Sequence, residues 1–209
     1  GIGLRMSELI ITVAQGHLPV ALLLTALGSI VLGMGLPTTA AYVVLAALGA
    51  PALTELGVPL LAAHLFIFYY GCLSNVTPPV ALAAYAAAGL AGSSPLRTGA
   101  TAMGLAVGGF LVPFAFIYDP SLLLSGTVFE ILATALGAAI GVTSLAAGIV
   151  GYIGRPISVS GRAILVAAGI ALLAPGWPSD GLGMAIFAAA LWLWRKPEGK
   201  LESATDITH

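Results

Sequence analysis

Five long apolar runs dominate the chain: Val58 to Ser74, Thr98 to Tyr118, Gly126 to Ile153, Ala163 to Ala174 and Gly181 to Trp194. A helix needs roughly 20 apolar residues to cross the ~30 Å hydrocarbon core of a bilayer, so most of these runs read as membrane spans. Only 7% of the residues are charged and 59% are hydrophobic, against about a quarter charged in water-soluble domains. A soluble globule is excluded. In lipid every backbone polar group must be satisfied within the protein, which favours helices. The predicted fold class is therefore an all-α polytopic membrane protein.

The charges that remain set an orientation. One span separates Arg97 from the "YDPS" turn at Asp119, and the next separates that turn from Arg155. A third leads from Arg162 to "GWPSD" at Asp180, and the last returns to Arg195. The basic loops after residue 90 thus share one face, and Asp119 and Asp180 share the other. The positive-inside rule makes the basic face cytoplasmic, placing the protein in a cytoplasmic (bacterial inner) membrane with its C-terminus inside. The tail "KPEGKLESATDITH", residues 196–209, is polar and aperiodic and reads as a frayed cytoplasmic end. A net charge of −1 and the lack of a basic cluster give no sign of nucleic-acid binding. Cys72 is the single cysteine and forms no internal disulfide. The start at Gly1, with no charged leader before a cleavage site, leads to the expectation of a C-terminal piece of a longer polypeptide.

Two segments are interrupted where hydrocarbon tolerates interruption least. Leu18 to Leu32 and Ala40 to Ala52 are apolar but short, and "GMGLPTT", Gly33 to Thr39, lies between them. Two half-length helices about a Gly/Pro break predict a re-entrant hairpin over 18–52, entering from outside. The alternative is one proline-kinked span from Leu18 to Ala50. The second interruption is "GCLSNVTPPVALAAY", Gly71 to Tyr85. Pro78 and Pro79 lack the N–H groups that would bond the carbonyls of Ser74 and Asn75, which predicts two free carbonyls. With Thr77 as N-cap and Pro78 opening the next helix, residues 58–90 read as a broken helix. The carbonyls and the Ser74, Asn75 and Thr77 side chains are hard oxygen donors suited to a small cation. Helix N-termini suit an anion. Gly33 and Gly35 allow close backbone approach at the hairpin tip, and Thr38 and Thr39 follow Pro37 at the start of the second arm. Paired broken helices at mid-membrane are the mark of secondary transporters.

Other candidates are better explained by packing. His64, in an aromatic-rich helix, reads as a satisfied core histidine rather than a proton relay. Glu130 reads as a carboxylate favouring a helix N-terminus, and Pro113 as a kink. Trp177, Trp192 and Trp194 read as interfacial anchors. Catalytic motifs are lacking: there is no HExxH, P-loop or GxSG, and His64 and Ser74 do not share a helix face. No enzymatic activity and no organic cofactor are expected.

"LGMGLPTTAAYVVLAALGAPAL", "AAHLFIFYYGCLSNVTPPVALAAYAAAGLAG" and "GFLVPFAFIYDPSLLL" together resemble the large permease subunit of tripartite ATP-independent periplasmic (TRAP) transporters. The similarity is nearest to the fused type, in which small and large membrane subunits form one polypeptide. The resemblance implies an elevator-type, sodium-coupled importer of organic acids, served by a periplasmic substrate-binding protein. It implies that residues 1–125 form the second inverted repeat and 126–195 additional C-terminal helices. A first repeat and small-subunit helices are then expected upstream. Carried over by position, Gly33, Gly35, Ser74, Asn75 and Thr77 would hold sodium. Thr38, Thr39, Asn75, Thr77 and Pro78 would meet the substrate carboxylate. A sodium/dicarboxylate symporter working without a binding protein and a non-transporting membrane scaffold are the alternatives.

Overall fold

A computed structural model describes residues 2–195; the polar tail predicted over 196–209 lies outside them. The chain is almost wholly helical. The helices are α1 (Ile2–Ala14), α2 (Leu18–Gly33), α3 (Thr38–Glu55), α4 (Leu60–Leu73), α5 (Leu82–Ala91) and α6 (Pro95–Tyr118). A 3₁₀ turn, Pro120–Leu123, leads to α7 (Val128–Val150), and then come α8 (Val159–Leu173) and α9 (Trp177–Arg195). The only strands among the described residues are the two-residue pair Tyr152–Ile153 and Arg155–Pro156, an antiparallel clip between α7 and α8. Among the described residues, three helices, α3, α6 and α7, are long and apolar enough to cross a membrane. Leu27, Val31, Leu60, Leu132 and Leu136 are exposed on the outside of the bundle. Such a surface is a liability in water and the expected one in lipid.

Residues 18–55 form a helical hairpin and not one kinked span. A Cβ built on Gly49 of α3 would lie 3.1 Å from Cγ2 of Thr25 on α2, so the two arms run back along each other. The arms are longer than the apolar runs suggest. At 16 and 18 residues they measure about 24 and 27 Å at 1.5 Å per residue. The second arm continues through Pro51, and Thr54 Oγ1 donates to the Ala50 and Pro51 carbonyls beyond it. The buried positions of α2, which include Ala21, Thr25, Ser29 and Gly33, recur every four residues. They form a stripe of small side chains that lets α4 approach closely. The buried positions of α4 include Ala63, Ile67, Tyr70 and Gly71, and a Cβ on Gly33 would lie 3.6 Å from Gly71 Cα. Both stripes end at the two interruptions.

The first helix was not foreseen from the apolar runs. Charged Arg5 and Glu8 hide a buried face that the spacing of Ser7 and Ala14 reveals. Ser7 Oγ donates to the Leu48 carbonyl at 3.1 Å, fastening α1 to the second hairpin arm. On the other side of the hairpin, Phe66 and Tyr70 of α4 pack edge-on and tilted against Phe110 and Phe114 of α6, and Tyr70 Oη donates to the Phe110 carbonyl. Pro113 sits inside a continuous α6.

From α6 onward the helices approach through glycine. A Cβ on Gly108 would lie 2.9 Å from Val142 Cα of α7, and one on Gly148 would lie 2.9 Å from the Arg162 carbonyl of α8. Such close contacts are how membrane helices gain packing energy without a hydrophobic driving force between them. Arg162 closes the α7–α8 end by donating to the carbonyls of Gly148 and Ile149.

Candidate binding site at the hairpin tip and the helix break

The two interruptions meet. A Cβ on Gly33, the last residue of α2, would lie 2.9 Å from Ser74 Oγ and 3.2 Å from Ser74 Cβ. Glycine is required there because any side chain would occupy space the serine already holds. Gly33 and Ser74 are both buried, Ser74 to 1% exposure. Beyond Gly33 the chain turns through Met34–Pro37 with Gly35 at φ +80°, a region open to glycine at little cost. α3 then begins at Thr38 with Pro37 as its cap residue, and no side chain caps it. The leading N–H groups of α3 therefore keep their donor capacity.

The break itself differs from the expected one. α4 ends at Leu73 and α5 begins at Leu82, so the link runs from Ser74 to Ala81, longer than the predicted one, which ends at Thr77 with Pro78 opening the next helix. Thr77 does not cap α5: that place belongs to Ala81, in a left-handed conformation at φ 33°. Nor do Pro78 and Pro79, joined by a cis peptide, open the second half-helix. A β-turn-like chain of hydrogen bonds continues past α4 instead, with Asn75 N–H donating to Cys72 O and Val76 N–H to Leu73 O, each at 3.1 Å. The two carbonyls predicted to be free are engaged. Ser74 O accepts from Thr77 N–H at 3.4 Å and Asn75 O accepts from Ala83 N–H at 3.1 Å. Proline removed their helical donors, and the link supplied others. A carbonyl oxygen has two lone pairs, so each keeps one acceptor position.

The side chains of the link are committed in one sense. Ser74 Oγ donates to Gly71 O at 2.6 Å and Thr77 Oγ1 donates to Leu73 O at 2.7 Å. A hydroxyl that has given away its proton offers only lone pairs, so these two buried oxygens can meet a cation or an N–H donor but not a carboxylate. Asn75, half-buried, donates through Nδ2 to Cys72 O at 3.4 Å, which leaves Oδ1 as an acceptor. Pro78 is half-buried, Thr38 half-buried and Thr39 exposed. The hydroxyls of Thr38 and Thr39 form no hydrogen bond to the link. Among the described residues no three His, Cys, Asp or Glu side chains converge, so the donors here are neutral oxygens.

Two further residues hold the site: Gly71, given no role in the sequence, and Tyr85, read there as core packing. The Gly71 carbonyl accepts the Ser74 hydroxyl hydrogen bond, and a Cβ added at Gly71 would lie 3.5 Å from Leu45 Cδ1; its place three residues before Ser74 was the available signal. Tyr85, one turn into α5, donates its hydroxyl to Pro79 O at 2.9 Å and ties the link to the new helix. His64 is hydrogen-bonded through Nδ1 to Tyr42 Oη at 2.9 Å across α3 and α4, with the rings edge-on. Glu130 forms a full capping box with Thr127 at the start of α7.

A bundle of apolar helices carrying a hairpin tip pressed into a broken helix defines a polytopic membrane transporter. Residues 1–131 match the family described as "Tripartite ATP-independent periplasmic transporter, DctM component", and the chain belongs to that family, as a membrane permease component of a TRAP system. Membership implies further components, a periplasmic binding protein among them. No curated protein matches the chain, and no solved structure does. Most of α7 and all of α8 and α9 lie beyond the family match.

Proposed function

We propose that this permease couples sodium entry to the import of an organic acid delivered by the periplasmic binding protein. The observation that carries the reading is the contact of Gly33 with Ser74. It brings a hairpin tip and a helix break to one point, where Ser74 Oγ, Thr77 Oγ1, Asn75 Oδ1 and the spare lone pairs of the 74 and 75 carbonyls are all acceptors. Hard, neutral oxygens at membrane depth favour an alkali cation, and Gly33 and Gly35 supply the backbone of the opposite wall. The substrate carboxylate is assigned to the uncapped N-terminus of α3, where N–H groups, Thr38 and Thr39 can donate. Asn75 Nδ2 and Pro78 line the other side in this reading; Thr77, its proton committed to the Leu73 carbonyl, serves the cation and not the carboxylate.

The mechanism follows from electrostatics. A cation at the link offsets the charge of the carboxylate, and a filled site leaves fewer bare polar groups to carry through lipid. The loaded hairpin and broken helix then move together across an inner membrane in elevator fashion, with Arg97, Arg155 and the C-terminus on the cytoplasmic face.

The test is uptake of labelled dicarboxylates by vesicles containing the assembled transporter and its binding protein, with and without a sodium gradient. Thr77→Val removes the acceptor oxygen while keeping shape, and should raise the sodium concentration for half-maximal uptake about tenfold, equivalent to roughly 1.4 kcal/mol. Sodium-independent uptake, or an unchanged sodium dependence in Thr77→Val and Asn75→Ala together, overturns the coupling. Sodium-driven uptake that persists without the binding protein would favour a stand-alone symporter.

A further inference from the structure

A cavity of about 780 Å³, lined by none of those site residues, is bounded by the Asp119–Ser125 turn, α7 and the α8–α9 corner. Its wall on α7 runs from Glu130 to Ile140. Ten residues at 1.5 Å each make about 15 Å, the depth of one leaflet of a ~30 Å hydrocarbon core. The deep end is apolar, with Leu136, Ile140, Leu172 and Met184. Phe129 and Leu136 on its edge are 71% and 63% exposed, so the cavity opens sideways, toward the lipid.

The shallow end is acidic. Asp119 Oδ1 accepts from the N–H and hydroxyl of Ser121, and Glu130 Oε2 accepts from Thr127 N–H at 2.8 Å. Neither carboxylate's second oxygen has a partner among the described residues. Both carboxylates line the same cavity. No cation of the described chain answers them. Arg97, Arg155, Arg162 and Arg195 all stand at the opposite ends of α6, α7, α8 and α9.

A groove one leaflet deep, apolar along its length and doubly anionic at its mouth, complements an amphiphile with a cationic head. We infer that it holds one acyl chain of an aminophospholipid, whose ammonium sits between Asp119 and Glu130. Charge complementarity selects the primary amine over an anionic headgroup, and the depth of the groove selects a lipid over a free amine.

Native mass spectrometry of the detergent-purified chain, titrated with phosphatidylethanolamine or phosphatidylglycerol of identical acyl chains, tests this. The ethanolamine lipid should be retained about tenfold or more over the glycerol lipid, the factor expected for a charge-assisted hydrogen bond. Glu130→Gln keeps an oxygen for Thr127 N–H and should bring that preference down toward unity. Gly137→Leu enters the groove where an added Cβ meets nothing within 4 Å, and should reduce retention of both lipids without lowering the unfolding temperature. Equal retention of the two lipids by the unaltered protein overturns the proposal, as does undiminished retention in Gly137→Leu. Displacement of the lipid by free ethanolamine but not by dodecylamine would assign the site to a small soluble amine and overturn it equally.

Discussion

Gly33 shows how one residue type can be forced by a distance. Its missing Cβ is the space that Ser74 Oγ fills, 2.9 Å away. Gly33→Ala must therefore push the hairpin tip off the link, whereas Gly28→Ala, five residues earlier where nothing lies within 4 Å, leaves it in place. Transport by the assembled permease should fall at least about tenfold in the first variant, the effect of roughly 1.4 kcal/mol, and stay near normal in the second. Measuring both by initial uptake rate separates the contact from a general intolerance of alanine. Gly35 fails for a different reason. It has room but a φ of +80°, so alanine there costs about 1 kcal/mol of backbone strain and should weaken transport less than Gly33→Ala.

At the scale of elements, the chain uses two packing regimes. The hairpin and α4 meet through small-residue stripes and an aromatic cluster with α6, while α6, α7 and α8 meet through glycines against backbone. Gly108 tests the second regime, since Val142 Cα would stand 2.9 Å from an added Cβ. A backbone atom cannot rotate away as a side chain can. Gly108→Leu should force α6 and α7 apart at a cost of about 1–3 kcal/mol, read as a lower unfolding temperature in detergent. Gly104→Ala on the same helix, with only Ile149 Cγ2 at 3.6 Å, should leave it unchanged. The broken helix was legible as an element because two prolines and three polar side chains interrupt an apolar run. Its length was not. Hydrogen bonds from Thr77 N–H and Ala83 N–H to the 74 and 75 carbonyls extend the link to Ala81, and no local propensity announces that exchange of partners. The α1 helix was missed because its buried face interleaves with Arg5 and Glu8, and its partner, α3, lies more than thirty residues away.

For the whole molecule, the charges and the helices make one joint statement. Arg97 begins α6 and Asp119 follows its end, so the two lie at opposite ends of a 24-residue helix, long enough at about 36 Å to cross the hydrocarbon core. With Cys72 replaced by serine, Arg97→Cys should react with a membrane-impermeant maleimide only from the cytoplasmic side, and Asp119→Cys only from the periplasmic side. Labelling of both from the same side would reverse the assignment of α6 as a span.

The sequence by itself determined the solvent and the element types. A chain with so few charges and such long apolar runs has to satisfy its backbone internally, and Gly/Pro interruptions mark where it does not do so helically. Composition and local sterics are enough for that. Only tertiary structure decided which partners the interrupted backbone took: that Gly33 abuts Ser74, that Thr25 of one arm faces Gly49 of the other, and that Asn75 O turns to Ala83. Those pairings depend on how residues distant along the chain fit together in space, and a stretch of sequence read alone carries no information about the atoms across from it.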